Sequence, residues 1–62
     1  MKKDQILFLY HPMRQLIVIL LSDYDKFPGR FECFVLTDSS KILNAGEIKR
    51  HFPKEAYKAT NL

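Results

Sequence analysis

Gln15-Leu16-Ile17-Val18-Ile19-Leu20-Leu21 is the most apolar stretch of the chain, one polar residue followed by six apolar ones. How it is read decides the fold. Successive side chains of a strand point to opposite sides, so a continuous apolar run fits a strand covered on both faces. Ile17, Ile19 and Leu21 then face one way, and Leu16, Val18 and Leu20 the other. The β-branched centre Ile17-Val18-Ile19 favours this reading, because such side chains are stiff and pack well on a pleated surface. The alternative is an α+β chain with residues 13–22 helical, entered at Pro12. Met13, Leu16, Ile17, Leu20, Leu21 and Tyr24 share the i, i+3, i+4 spacing of one helix face, but Val18 and Ile19 fall off that face. A membrane span is excluded, since spanning takes about 20 consecutive apolar residues and His11-Pro12-Met13-Arg14-Gln15 interrupts the apolar region.

Outward from this run, Gln5–Tyr10 reads as a first strand that returns through His11–Arg14 as a hairpin, with Pro12 presetting a turn. Ser22–Gly29 is a loop closed by Pro28-Gly29, a type II turn signal. Arg30–Thr37 alternates clearly, with Phe31, Cys33 and Val35 on one face. Asp38–Lys41 is a polar turn, Ile42-Leu43 a short fourth strand, and Gly46 a bulge or bend in it. Beyond Gly46, Ile48 and Phe52 lie four apart, as on a helical turn. Pro53 is placed to open a short helix over residues 53–59.

The expected fold is therefore mainly β: a single domain over residues 1–62, with four antiparallel strands in a small, partly open barrel and a short C-terminal helical segment. The order of these elements resembles small SH3-like barrels. A chain of 62 residues with 47% hydrophobic content and eight aromatics is rich enough to fold, although its core must be small. The N-terminal Met1-Lys2-Lys3 is followed by a short apolar segment and no small-residue cleavage site. The expected location is cytoplasmic.

Few residues offer chemistry. Cys33 is the only cysteine, so no internal disulfide forms, and its place between Phe31 and Val35 makes it a small buried hydrophobe. A Cys–His pair with His11 or His51 lacks a defined motif, and no ligand spacing of the C-x-x-C or H-x-x-x-H kind is present. Asp23 and Asp25 lack the glycine and glutamate offsets of a calcium loop. Gly29 and Gly46 are isolated, so no phosphate-cradling loop exists. The sequence predicts no enzyme, no cofactor and no metal.

What remains is binding. The aromatic loop offers Tyr24 and Phe27 as anchors of a protein-interaction surface, and an open sheet leaves an edge for another strand, including one from a second copy. This gives a small non-catalytic adaptor or regulatory module, of the kind encoded by phages and mobile elements, with a homodimer compatible with the small core. The alternative uses the formal charge of +3: Lys49, Arg50, Lys54 and Lys58 form a C-terminal basic patch for nucleic acid, with Lys54 and Lys58 on one helical face. Glu47 and Glu55 dilute that patch.

Overall fold

In a computed structural model describing residues 1–62, the chain forms five antiparallel strands in one open sheet: β1 (Ile6–His11), β2 (Arg14–Leu20), β3 (Arg30–Asp38), β4 (Ile48–Pro53) and β5 (Lys58–Asn61). The spatial order is β4-β3-β2-β1-β5. A single 3-10 turn, Tyr24–Lys26, is the one helical element. No helix is long and apolar enough to cross a membrane.

The deciding stretch is extended, as its β-branched centre requires, and the helix over residues 13–22 does not form. Its cover is one-sided, however. Leu16, Val18 and Leu20 are fully buried, whereas Ile17 and Ile19 are only half-buried. With Leu7 and Leu9 of β1, Phe31, Cys33 and Val35 of β3, and Phe52 of β4, the inward residues of β2 make one core cluster. Tyr24, Leu43, Tyr57 and Ala59 pack around it.

The hairpin between β1 and β2 is tighter than a four-residue loop. His11 pairs with Arg14, leaving Pro12 and Met13 as the turn. The Nδ1 of His11 accepts the Met13 amide at 3.0 Å. Gly29 takes φ +77° after Pro28, the left-handed value a type II turn demands.

The second half differs from expectation in three places, each for a local reason. Ile42-Leu43 is not a strand. The Asp38 carboxylate takes the amides of Ser40 and Leu43 at 3.0 Å each, so these donors are lost to any ladder. Lys41 sits at φ +59° within this loop, and Ile42 is 71% exposed. Gly46 (φ +92°) is the bend before the next strand, its amide donating to the Val35 carbonyl at 2.7 Å.

No C-terminal helix exists. Residues 48–53 form β4, with an irregular register between Phe31 and Cys33 of β3: Phe31 meets Phe52 while Cys33 meets Lys49. One extra residue on β4 therefore lies opposite Glu32, and such a bulge reverses which face the following residues use. Ile48 consequently points outward, 53% exposed, while Phe52 is buried at 1%. Their four-residue spacing imitates a helix face. Pro53 ends an edge strand, where a missing amide costs no interior rung, and residues 58–61, of which the first two were expected to end a helix, pair with β1 as the fifth strand.

The edge strands β4 and β5 are joined by only four residues, Lys54–Tyr57. A flat five-stranded sheet would hold its edges about 19 Å apart, roughly the full stretch of this link, and the link instead folds into a turn in which the Ala56 amide donates to Pro53. The sheet must therefore curl. Phe52 of β4 accordingly packs edge-on against Tyr57, ring centroids 5.3 Å apart, and Tyr57 lies 5.7 Å from the His11 ring of β1.

Candidate functional site

The inner face of the curled sheet ends in a polar cluster. Arg14 donates to both carboxylate oxygens of Asp38, from Nε at 3.1 Å and Nη2 at 2.7 Å, and from Nη1 to the Tyr57 hydroxyl at 3.3 Å. Its guanidinium lies 5.2 Å from the centroid of the Phe52 ring. The Asp38 side chain is wholly buried and also accepts the Ser40 hydroxyl at 2.7 Å. The Arg14 hydrogen bonds, aided by Ser40 and the Leu43 amide, hold the Asp38 carboxyl far below the usual carboxylate range, and the same pairing raises Arg14. Both Asp38 carboxylate oxygens are taken up by partners within the chain. The cluster fastens β2, β3 and the link before β5.

Cys33 is buried among aliphatic side chains, and loss of solvation together with the charge of Glu32 pushes its thiol up to about 12. A thiol kept protonated is a poor nucleophile. His51 is exposed on β4 while Cys33 faces the core, and His11 is engaged by Met13 and Tyr57. No three His, Cys, Asp or Glu side chains gather closely enough to hold a metal ion. Asp23 and Asp25 instead border a solvent-open cleft of about 450 Å³ with Lys2, Lys3 and Lys26. There the Lys3 amide and the Lys2 charge lower the Asp23 carboxyl.

The two loop aromatics are held by the chain itself. Tyr24 packs on Phe31 of the core, centroids 5.5 Å apart, and Lys54 covers its ring at 3.9 Å while donating to its carbonyl. Phe27 is half-buried between two cations, Arg30 at 4.4 Å and Lys26 at 5.6 Å. Stacked in this way, the buried Nε of Arg30 has no hydrogen-bond acceptor.

The four basic residues are distributed over both edges of the sheet. Lys49 and Arg50 lie on β4, where Arg50 is 3.7 Å from Glu32. Lys54 is turned onto Tyr24, and Lys58 is on β5 at the opposite edge. The i, i+4 helical relation of Lys54 and Lys58 is absent, because the segment is a turn and a strand.

A further surface lies on the outer face of the sheet. The strand pairings line up Ile6, Ile19, Phe34 and Ile48 across β1, β2, β3 and β4 in one row. The next row holds Thr60, Phe8, Ile17 and Thr37, and the third Lys58, Tyr10 and Gln15. Ile6, Tyr10 and Ile48 are 42%, 47% and 53% exposed, and Phe8, Ile17, Ile19 and Phe34 are half-buried. The patch is apolar at its centre and rimmed by Thr, Gln, Glu32, Arg50 and Lys58. Sequence reasoning missed it, because apolar alternation on both sides of β2 was read as two buried faces. The signal was present in Ile6-x-Phe8-x-Tyr10, Ile17-x-Ile19 and Phe34; what was lacking was any segment, beyond the Gly46 bend beside Phe34, to cover them.

Compared with protein families, with curated proteins and with solved structures, the chain matches none.

Proposed function

We propose that this protein is a small non-catalytic protein-interaction module that works through the outer face of its sheet. The observation that carries the reading is the row Ile6–Ile19–Phe34–Ile48, continuous across four strands and exposed at both ends, with Gly46 beside the Phe34 ring. Water-exposed apolar rows of this kind, ringed by polar residues, are the usual mark of a binding surface. Phe8, Tyr10 and Phe34 supply the aromatic anchors that concentrate binding energy, a role the sequence assigned to Tyr24 and Phe27. The buried, protonated Cys33 and the self-satisfied Arg14–Asp38 cluster favour a non-catalytic role. In fold terms, we read the curled order β4-β3-β2-β1-β5 as a strongly bent SH3-like barrel left open between its edge strands, a rigid support for such a face.

Nucleic-acid binding is the second reading, favoured by the meeting of Lys26, Arg30 and Lys54 with Phe27 and Tyr24 rather than by the C-terminal patch. Those rings already carry cations on their faces, so bases have less to stack on. The outer face is therefore the preferred site.

The test compares the wild-type chain with Ile6→Lys/Ile48→Lys as immobilised baits. Both positions are exposed, so circular dichroism should be unchanged. The expected result is a bound protein retained by the wild type and lost from the variant. Identical retention by both, or retention of nothing but nucleic acid that leaves at moderate salt, sinks the reading.

A further inference from the structure

At one end of the curled sheet β1 and β3 begin and β2 ends, and there the N-terminal residues fold against the loop that follows β2. The Lys3 amide donates to Asp23 Oδ1 at 2.8 Å, the Tyr24 amide to the Met1 carbonyl at 3.1 Å and the Asp4 amide to the Leu20 carbonyl at 2.8 Å. These bonds fix both sides of the cleft of about 450 Å³, with Lys2 and Lys3 from one segment and Ser22, Asp23, Asp25 and Lys26 from the other. Leu21 is its one apolar residue. Ser22 continues the inward alternation of Leu16, Val18 and Leu20, and only 7% of it is exposed. It lines the cleft, yet its hydroxyl bonds to no group of the chain. A hydroxyl placed so deeply ordinarily has a partner, and the side on which it can find one is the cleft. The charges around it are unevenly used. The Asp23 carboxylate is taken by the Lys3 amide and by Lys2, 3.7 Å away. The ammonium groups of Lys3 and Lys26 have no carboxylate within ion-pair reach, and Asp25 has no cation.

We propose that this cleft binds a small sugar phosphate, its phosphate held by Lys3, Lys26 and the Ser22 hydroxyl, and its sugar hydroxyls by Asp25. A phosphate monoester presents three acceptor oxygens and close to two negative charges near neutral pH, which matches two unpaired ammonium groups and one unpartnered hydroxyl. Lysine serves such a group as a point charge and needs no fixed fork geometry. A carboxylate, with two oxygens and one charge, leaves a donor unused. Asp25 repels a second anionic group and accepts from hydroxyls, so the remainder of the ligand is neutral and hydroxylated. With Leu21 alone apolar, a nucleobase has no surface to stack on, and this separates a sugar phosphate from a nucleotide. The volume lies within the range of small-molecule sites. Both sides of the cleft are already tied by hydrogen bonds, so binding has little chain to order. The cleft is open to water, which screens its charges, and the expected Kd is about 1 mM. This site goes beyond the interaction module and does not depend on the outer face.

Amide NMR spectra of the 62-residue chain, titrated with ribose 5-phosphate at constant ionic strength, test the site. The expected shifts saturate and are confined to residues 2–4 and 21–26. Inorganic phosphate should move the same amides with several-fold weaker binding, because it lacks the hydroxyls that meet Asp25, and ribose alone should move none. Lys3→Gln and Lys26→Gln change exposed side chains and should each weaken binding several-fold. Ser22→Ala should do so as well, while the dispersion of its spectrum reports whether the fold is kept. Lys58→Gln removes the same charge from the far end of the sheet, where Lys58 pairs with Tyr10, and should bind as the wild type does. The proposal is overturned by the absence of saturable shifts at 10 times the expected Kd, or by shifts spread over lysines throughout the molecule. An equal loss in Lys58→Gln also overturns it, since net charge alone would then account for the binding. So does inorganic phosphate binding as tightly as the sugar phosphate, which removes the role of Asp25. Oligothymidylate binding more tightly than ribose 5-phosphate, with shifts extending to Phe27, Arg30 and Lys54, would replace the sugar phosphate with nucleic acid. None of these results bears on capture of a protein by the outer face, which Ile6→Lys/Ile48→Lys tests by itself.

Discussion

At Asp38 one buried carboxylate accepts hydrogen bonds from Arg14, Ser40 and Leu43. Sequence placed it in a polar turn, whereas it is the last residue of β3 with the turn beginning after it, and its side chain is held by Arg14, 24 positions away, which no local pattern announces. Removing one partner of a buried pair leaves the other uncompensated. Asp38→Asn should therefore cost about 3 kcal/mol near neutral pH, a large share of the roughly 3–9 kcal/mol that a chain of this size holds in total. The folded carboxyl titrates below its ordinary value of 3.8, so its contribution is complete above that pH and is lost as pH falls below it. The gap between wild type and Asp38→Asn in urea midpoint should be widest at neutral pH and close progressively under acid. A gap of constant size at all pH values would show that the pair is not what holds this corner.

Element by element, the first three strands were legible because their alternation is clean: residues 5–10, 15–21 and 30–37 were expected, and β1, β2 and β3 occupy them within a residue or so. The C-terminal third was not. Ile48 and Phe52 share a helical spacing, yet in β4 an inserted residue opposite Glu32 turns them to opposite faces. A bulge leaves no mark on hydrophobic periodicity except to break it, and a broken period of two resembles a period near four. The consequence is asymmetric. Phe52→Ala should cost about 3–5 kcal/mol through the cavity it opens, whereas Ile48→Ala should stay within about 0.5 kcal/mol, as exposed positions do. Thermal melts of the two variants check this, and equal losses would contradict the bulge. The same blindness hid the proposed binding face: the alternation in β1 and β2 was visible, but whether a second apolar face finds cover depends on how the remaining chain is used.

Over the whole molecule, a curl that draws β4 and β5 to within a four-residue link gathers 62 residues into 27 × 22 × 20 Å. Only β1 and β2 join in a tight hairpin; the other pairings span more of the chain, the most remote being Leu7 with Asn61. Folding dominated by such pairings is slow for its size, so refolding after dilution from urea should follow one exponential in the millisecond-to-second range. A microsecond phase accounting for the full amplitude would mean that local structure, not the return of β5, limits the reaction.

That same pairing of first strand with last has a meaning for the chain as it is made. On the ribosome, β1 and β2 emerge early and can form their hairpin, but the other edge of β1 stays bare until β5 has left the exit tunnel. Through that interval the growing polypeptide displays an unzipped ladder beside an uncovered apolar surface, so translation speed and chaperone contact over the final residues would govern how much of it escapes aggregation.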